Sequence, residues 1–175
     1  MKKELLKQGF NSVQLNIVAF VDVQKAIALK TLEGCIYMMD NSPMSTGQGT
    51  SRLQTTCKQG QTLNWIIYAM DSEKKPDGSW PPSVRINNIV FTDKESQDVS
   101  TSLICENLRI YGAPDKIRSN YTPVYYYWAG TVPLDLSPGK YRYRLILELE
   151  NEKTDKCEYL NLETPVLNVI SIKIA

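Results

Sequence analysis

The stretch that decides the fold is 141–150, which reads YRYRLILELE. Aromatic and aliphatic side chains occupy every second position of this stretch, namely Tyr141, Tyr143, Leu145, Leu147 and Leu149. The positions between them are charged, apart from Ile146. Because successive side chains of a strand point to opposite faces, this period of two predicts a strand with one buried and one wet face. The turn residues Ser137-Pro138-Gly139 precede it.

Other segments extend this pattern outward along the chain. Short alternating or apolar runs predict further strands at 13–20, 34–40, 52–57, 63–70, 83–92, 102–111 and 166–174. Gln59-Gly60-Gln61 has the composition of a hairpin turn. Val23, Ala26 and Ile27 follow helical spacing, which leaves room for one short helix capped by Asp22.

Many short strands separated by turn residues are typical of an all-β domain. The sequence therefore predicts a single-domain antiparallel β-sandwich of the jelly-roll or immunoglobulin-like type. We assign residues 13–175 to this domain and residues 1–12 to an N-terminal extension. A chain of 175 residues can bury a sufficient core without a metal or a disulfide.

The charge balance and the missing histidine limit the function. Lys plus Arg number 20 and Asp plus Glu number 19, so the net charge is +1 and no basic surplus indicates a nucleic-acid partner. The chain has no histidine, which excludes Ser-His-Asp and Cys-His catalysis and histidine metal ligands. No motif indicates a catalytic residue, a metal site or a cofactor.

The cysteines and the N-terminus indicate the compartment. Cys35, Cys57, Cys105 and Cys157 are widely spaced and form no Cys-x-x-Cys pair. We expect four reduced thiols in a cytoplasmic protein. The sequence contains neither a signal-peptide pattern nor an apolar run long enough for a membrane helix, so no membrane partner is expected.

The alternation also assigns individual side chains to the core or to water. We expect Leu145, Leu147, Trp65 and Trp128 to be buried because of their position or their size. Arg142, Arg144 and Glu148 lie on the opposite face of the same strand and are expected to be exposed.

Two groups of residues are candidates for a ligand site or an interface. The first offers several oxygens close together for a sugar or a calcium ion, although turn hydrogen bonds explain the same pattern. The second consists of aromatic residues that could form a platform for a sugar, a base or a second protomer. The candidates are Asp40, Asn41, Ser45 and Thr46 in the first group, and Trp80, Tyr125 and Tyr127 in the second.

Several local strings occur in an order typical of one family. They are 16–23 (NIVAFVDV), 36–41 (IYMMDN), 45–50 (STGQGT), Gly60 with Leu63-Asn64-Trp65, 127–132 (YWAGTV) and 138–143 (PGKYRY). In this order and spacing the chain, from about Asn16 to Val169, resembles the bacterial inclusion-body protein family of the PixA and AidA type. The resemblance implies a cytoplasmic protein that accumulates or self-associates, and it implies no catalytic residues.

The sequence thus predicts a non-enzymatic protein that self-associates or binds another molecule. A two-fold homodimer with Tyr125 and Tyr127 in its contact is the simplest form of this prediction. A carbohydrate-binding module that uses Trp80, the two tyrosines and the Asp40 loop is the first alternative. An enzyme with an unrecognised carboxylate site is the second.

Overall fold

The computed structural model describes residues 14–70, 82–92, 97–111 and 127–171, and within these ranges the chain forms ten strands, one α-helix and one 3-10 turn. The elements are β1 (Leu15–Asp22), α1 (Val23–Leu29), β2 (Ile36–Asp40), β3 (Gln54–Lys58), β4 (Thr62–Met70), β5 (Val84–Thr92), the 3-10 turn (Thr101–Leu103), β6 (Glu106–Tyr111), β7 (Tyr127–Thr131), β8 (Gly139–Asn151), β9 (Lys156–Leu162) and β10 (Val166–Ile170). The predicted all-β class with one short helix is confirmed.

The strands form two sheets. Sheet A has the order β2-β1-β4-β7-β6. Sheet B has the order β3-β10-β8-β5, and β9 pairs with β8 beside β10. Two pairs, β1 with β4 and β3 with β10, run parallel. Both sheets are therefore mixed. The expected antiparallel pairing holds for the other strand pairs of the described residues, and the two parallel pairs arise because strands distant in sequence become neighbours through crossover connections rather than hairpins.

The turn predicted at Gln59-Gly60-Gln61 joins the two sheets instead of forming a hairpin. The strand before it, β3, belongs to sheet B, and the strand after it, β4, belongs to sheet A. Gly60 adopts a φ of 73°. Its N–H donates to the carbonyl of Val132 at 2.8 Å, and the Val132 N–H donates to the carbonyl of Gln61 at 3.0 Å. The turn residues were identified correctly, and the Gln61 N–H closes the turn on the carbonyl of Lys58 at 3.1 Å, but Gly60 and the Gln61 carbonyl bond to the segment after β7.

The short helix α1 begins as the sequence predicted. A carboxylate oxygen of Asp22 accepts from the N–H of Lys25 at 3.1 Å, which satisfies one of the unpaired donors of the first turn. Val23 and Ala26 are buried on its inner side. Lys30 ends the helix with a φ of 54°. Among the described residues, no helix has the length and apolarity needed to cross a membrane.

The core lies between the two sheets and centres on aromatic rings. Trp65 of β4 meets Tyr143 of β8 edge to face, with ring centroids 5.9 Å apart, and meets Phe91 of β5 at 6.4 Å. Trp128 is only partly buried, and its indole N–H donates to the carbonyl of Ile86 at 2.9 Å. A side chain of sheet A is thereby tied to the backbone of sheet B.

The predicted faces of β8 are correct for Leu145 and Leu147, which are fully buried, and for Arg142, which is exposed. Arg144 was expected in water, but it is half-buried, with 24% of its side chain exposed. Glu148 was expected in water but is only 6% exposed. The expectation failed because β8 has strand neighbours on both sides, and their long side chains cover this carboxylate: Arg85 pairs with it, and the Tyr159 hydroxyl donates to it at 3.1 Å.

Two adjacent threonines of β3 give a stability test of the core. The Thr55 hydroxyl is buried without a hydrogen-bond partner. The Thr56 hydroxyl donates to the Met44 carbonyl at 3.1 Å and accepts from Asn168 at 3.3 Å. We expect Thr55→Val to raise the free energy of unfolding by about 1 kcal/mol, because it removes an unsatisfied desolvated group. We expect Thr56→Val to lower it by about 1–2 kcal/mol.

Urea unfolding of both variants measures this difference. Each substitution replaces one hydroxyl by a methyl group on the same strand, so each serves as the control for the other. Equal changes in both variants would contradict the hydrogen-bond assignment.

Candidate functional site

The outer face of sheet A carries a row of apolar and aromatic side chains that crosses all five strands. Register pairs connect each member to the next, from the edge strand β2 to the edge strand β6. The members, in strand order, are Met39, Val18, Ile66, Tyr127 and Tyr111. Such a row is an unusual feature for a face that meets water, because one face of a sheet is normally polar when it is not covered.

A second row lies beside the first on three of these strands. Tyr37 pairs with Phe20, and Phe20 pairs with Tyr68. The rings of Phe20 and Tyr68 stack at 5.5 Å with an interplanar angle of 24°. Tyr68 is 43% exposed and Met39 of the first row is 40% exposed. We call the eight residues of the two rows the apolar face.

The end of the apolar face at β6 is a stack of three planar groups. The rings of Tyr111 and Tyr127 are 5.5 Å apart and nearly parallel, at 15°. The guanidinium of Arg109 lies 5.0 Å from the centre of the Tyr111 ring, and its Nε donates to the Tyr111 hydroxyl at 2.7 Å. Stacking and the cation–π contact fix the orientation of both rings.

A row of amides bounds the apolar face on the side where β1 begins. The Asn64 side chain donates to Oδ1 of Asn16 at 2.8 Å. Asn41 accepts from the backbone N–H of Asn16 at 2.9 Å and donates to the carbonyl of Gln14 at 3.1 Å. A polar border around an apolar centre is typical of interaction surfaces.

The outer face of sheet B is charged. Arg144 forms two hydrogen bonds to the Asp98 carboxylate, at 2.9 and 3.0 Å. Arg85 pairs with Glu148 farther along the same face. By contrast, β2, β1, β4 and β7 place no charged side chain on the outer face of sheet A apart from Asp22, whose carboxylate caps α1. The two outer faces therefore differ in chemical character.

The candidate oxygen ligands form the internal bonds of a loop. The loop 41–53 follows β2 and leads into β3. Oδ1 of Asp40 accepts from the Ser42 N–H at 2.9 Å and from the side chain of Gln48 at 3.1 Å. The bond to Ser42 is the turn hydrogen bond that the sequence offered as the alternative to a ligand site. The hydroxyl of Ser45 accepts from the backbone N–H of Thr56 at 2.9 Å.

This loop closes one edge of each sheet, and we call it the edge loop. On β2, the N–H of Met38 donates to the carbonyl of Thr50 at 3.2 Å, and the N–H of Asp40 donates to Oε1 of Gln48 at 2.9 Å. On β3, the N–H of Gln54 donates to the carbonyl of Thr46 at 2.8 Å. Both strands thus lose the free donors that would let another chain pair with them.

The structure does not bring the candidate residues together. Asp40 lies on β2 and Tyr127 lies on β7, three strands away in sheet A, which is about 14 Å at the usual strand spacing. Trp80 and Tyr125 lie outside the described residues. Of the candidates, only Tyr127 belongs to the apolar face. The other members of that face were not identified from the sequence because no single strand shows which strands become its neighbours.

The thiols are held in their protonated form. Burial raises the pKa of Cys57 and of Cys105 to about 12. Cys157 is exposed, and its hydrogen bond to Glu148 raises its pKa. Because the thiolate is the nucleophile and the metal ligand, none of these three is activated. No group of three or more Cys, Asp or Glu side chains in the part of the chain that the structure describes could hold a metal ion.

The fold and this face define an all-β protein with one apolar outer surface that carries few charged side chains. The chain belongs to the family described as a domain of unknown function, DUF8788, whose model matches residues 13–155. A comparison with curated proteins finds no match.

A solved structure shares the fold. The chain resembles the crystal structure of the inclusion body protein PixA from Burkholderia cenocepacia, with a TM-score of 0.57 and 9% sequence identity over 91% of this chain and 95% of that chain. At this identity the likeness shows the fold alone. The resemblance inferred from the sequence therefore holds at the level of the fold.

Two glycines of the edge loop provide a matched test of its geometry. Gly47 and Gly49 have φ values of 76° and 75°, so either alanine is strained by about 1 kcal/mol. A Cβ on Gly47 would also lie 2.5 Å from the carbonyl oxygen of Arg52, whereas a Cβ on Gly49 meets nothing within 4 Å. We expect Gly47→Ala to lower the unfolding midpoint clearly more than Gly49→Ala, and thermal unfolding measures both. Equal losses would contradict the close approach.

Acid unfolding tests the buried carboxylate. Burial alone would raise the pKa of Glu148, but hydrogen bonds from Arg85, Cys157 and Tyr159 hold it below the usual 4.5. Its ionised form therefore stabilises the fold above pH 4.5, and this contribution is lost as the pH falls through the lowered pKa. We expect Glu148→Gln to be less stable at pH 7 and to lose less stability on acidification.

The exposed Glu106→Gln is the control for the acid titration. Chemical unfolding of both variants and the wild type at pH 3 to 7 gives the slope of the free energy of unfolding against pH. A wild-type slope in the Glu148→Gln variant would contradict the role of this carboxylate.

Proposed function

We propose that copies of this protein associate with one another through the apolar face of sheet A, in a role that needs no catalysis. The observation that carries the proposal is the row from Met39 to Tyr111, which is continuous over five strands. Burial of this surface against a second copy removes apolar area from water, and that is the main driving force of association.

The size of the face suits a two-fold contact. Five strands about 4.8 Å apart, each five to nine residues long, give the whole outer face of sheet A, the apolar face with its polar border, a projected area of roughly 480 Å². Side-chain relief increases the accessible area of this face toward the roughly 800 Å² per partner that a stable interface buries. In a two-fold dimer the same patch meets itself, so one surface is sufficient.

The charge distribution also favours a second copy as the occupant. A net charge of +1 leaves little long-range repulsion between copies. Most of the face carries no charge, so two copies can meet there without desolvating unpaired ions. Arg109 lies at the β6 end, where the rim of such a contact stays wet.

The comparison with known structures supports the same role. The protein with the similar fold is an inclusion body protein by its description. Accumulation of that kind requires copies that bind one another. The predicted contact residue Tyr127 is a member of the apolar face, and the predicted homodimer is the form of assembly that this face suits.

Sedimentation tests the proposal with acidic substitutions on the apolar face. Met39→Glu/Tyr68→Glu places one carboxylate on the edge strand β2 and one on the central strand β4, at two exposed positions that the proposed contact would bury. At low micromolar concentration we expect a dimeric wild type and a monomeric double variant, because burying unpaired charges costs several kcal/mol.

Leu134→Glu is the control, since Leu134 is 72% exposed in the turn between β7 and β8 and is not part of the face. It is expected to remain dimeric, and circular dichroism verifies that all variants are folded. A wild type that stays monomeric at high concentration, or a double variant that dimerises as readily as the wild type, would overturn the proposal. A glycan array with the monomeric form would then test the carbohydrate-binding alternative.

A further inference from the structure

Within the residues that the structure describes, strand β9 pairs with another strand along only one of its two edges. The N–H of Tyr143 donates to the carbonyl of Pro165 at 3.2 Å, toward the side of β8 where β10 and β9 lie. The N–H of Glu150 donates to the carbonyl of Ser83 at 3.0 Å, toward β5 on the other side. The backbone N–H and C=O groups of the odd-numbered residues of β8 therefore point toward β9. In the observed register Leu147 pairs with Leu160, so the residues of β9 that bond to them are even-numbered.

The backbone groups of the odd-numbered residues of β9 consequently point away from the sheet. These residues are Cys157, Tyr159 and Asn161, and their side chains are exposed. Within the described chain they form no backbone bond outside the pairing of β8 with β9. Within the described residues, three N–H and three C=O groups are thus available in a seven-residue strand that pairs with β8 without a register shift.

The other sheet edges are less suited to pair with another chain. The edge loop closes β2 and β3. On β5, the carbonyl of Phe91 accepts from Val99 and the carbonyl of Ile86 accepts from Trp128, and a register shift interrupts the strand. On β6, Asn107 has a φ of 54° within another register shift. Bulges of this kind keep an edge from accepting a regular partner.

We propose that the unpaired edge of β9 binds the β9 edge of a second copy in antiparallel orientation, centred on Tyr159. This register places Tyr159 opposite its copy and Cys157 opposite Asn161 of the second copy. All three odd-numbered positions then become hydrogen-bonded pairs, so each of the six free groups on each copy finds a partner. Glu158 of one copy faces Leu160 of the second, and Lys156 faces Leu162 of the second, so no like charges meet.

The inference extends the proposed self-association, because it adds a second and different contact between copies. A two-fold contact through the apolar face produces a closed dimer. A two-fold contact through β9 then links one dimer to the next, and the assembly grows unless the two axes intersect. Copies of the chain would form assemblies larger than a dimer without any other partner.

A disulfide placed across the proposed contact tests the register. Directly opposite residues of a hydrogen-bonded antiparallel pair have Cα atoms about 5.5 Å apart, which suits a disulfide. In Asn161→Cys, the introduced thiol would face Cys157 of the second copy. We expect mild oxidation at alkaline pH to convert most of this variant into a covalent dimer.

Two controls isolate the contact. Asn161→Cys/Cys157→Ser keeps the introduced thiol but removes its partner, and it is expected to stay uncrosslinked. Positions 157 and 161 of one chain are about 13 Å apart along a strand, so they cannot link to each other. No crosslink in Asn161→Cys, while its thiols still react with maleimide, or equal crosslinking in the control, would overturn the inference.

A proline tests the role of the edge in growth of the assembly. Asn161→Pro removes an N–H that points away from β8, so the pairing of β8 with β9 is retained. Asn161→Ser, which keeps the N–H, is the control. In sedimentation at high concentration we expect species larger than a dimer in the wild type and in Asn161→Ser, and their loss in Asn161→Pro.

The outcomes separate the two contacts. A wild type that never exceeds a dimer would overturn the β9 contact and leave the apolar face as proposed. Growth beyond a dimer that is unchanged in Asn161→Pro would also overturn it. A crosslink in Asn161→Cys that persists when Met39→Glu/Tyr68→Glu is added would support the β9 contact independently of the apolar face.

Discussion

The edge-to-face contact of Trp65 with Phe91 and Tyr143 is the interaction on which the two sheets depend. It joins β4, the central strand of sheet A, to β5 and β8 of sheet B. Three large rings at one point fix the separation and the relative angle of the sheets, since aromatic pairs tolerate few geometries. Trp128 adds a hydrogen bond from sheet A to the backbone of sheet B. The buried side chains of both inner faces belong to one hydrophobic core.

The filled interior leaves the outer surfaces and the edges as the variable parts of the molecule. Sheet B uses its outer face for ion pairs, among them Arg144 with Asp98. Sheet A instead exposes Met39 and Tyr68. An exposed apolar sheet is an aggregation hazard when its edges are also free. The edge loop reduces this hazard by closing β2 beside the apolar face, so another chain finds no free backbone donors on this strand.

Local signals in the sequence were sufficient for much of the fold and for little of the site. The alternation in β8 and the cap at Asp22 depend only on near neighbours in the chain, and both predictions are confirmed. The burial of Glu148 depends on Arg85 and Tyr159 of adjacent strands, and the residue pattern of β8 alone gives no information about them. The strand β9 was missed because its sequence KCEYLNL lacks a regular apolar alternation. The apolar face joins residues from five strands. It could not be predicted because the sequence does not show the order of the strands in the sheet.

The open edge of β9 carries an exposed cysteine, and its surroundings determine whether contacts there are covalent. Cys157 donates to Glu148, which raises the pKa of the thiol. The thiolate is the form that oxidises and exchanges disulfides, so a protonated thiol reacts slowly at neutral pH. Glu148 in turn is kept ionised by Arg85. The pair therefore slows disulfide formation at this edge, so the proposed contact through β9 rests on backbone hydrogen bonds, which form at high protein concentration and break on dilution.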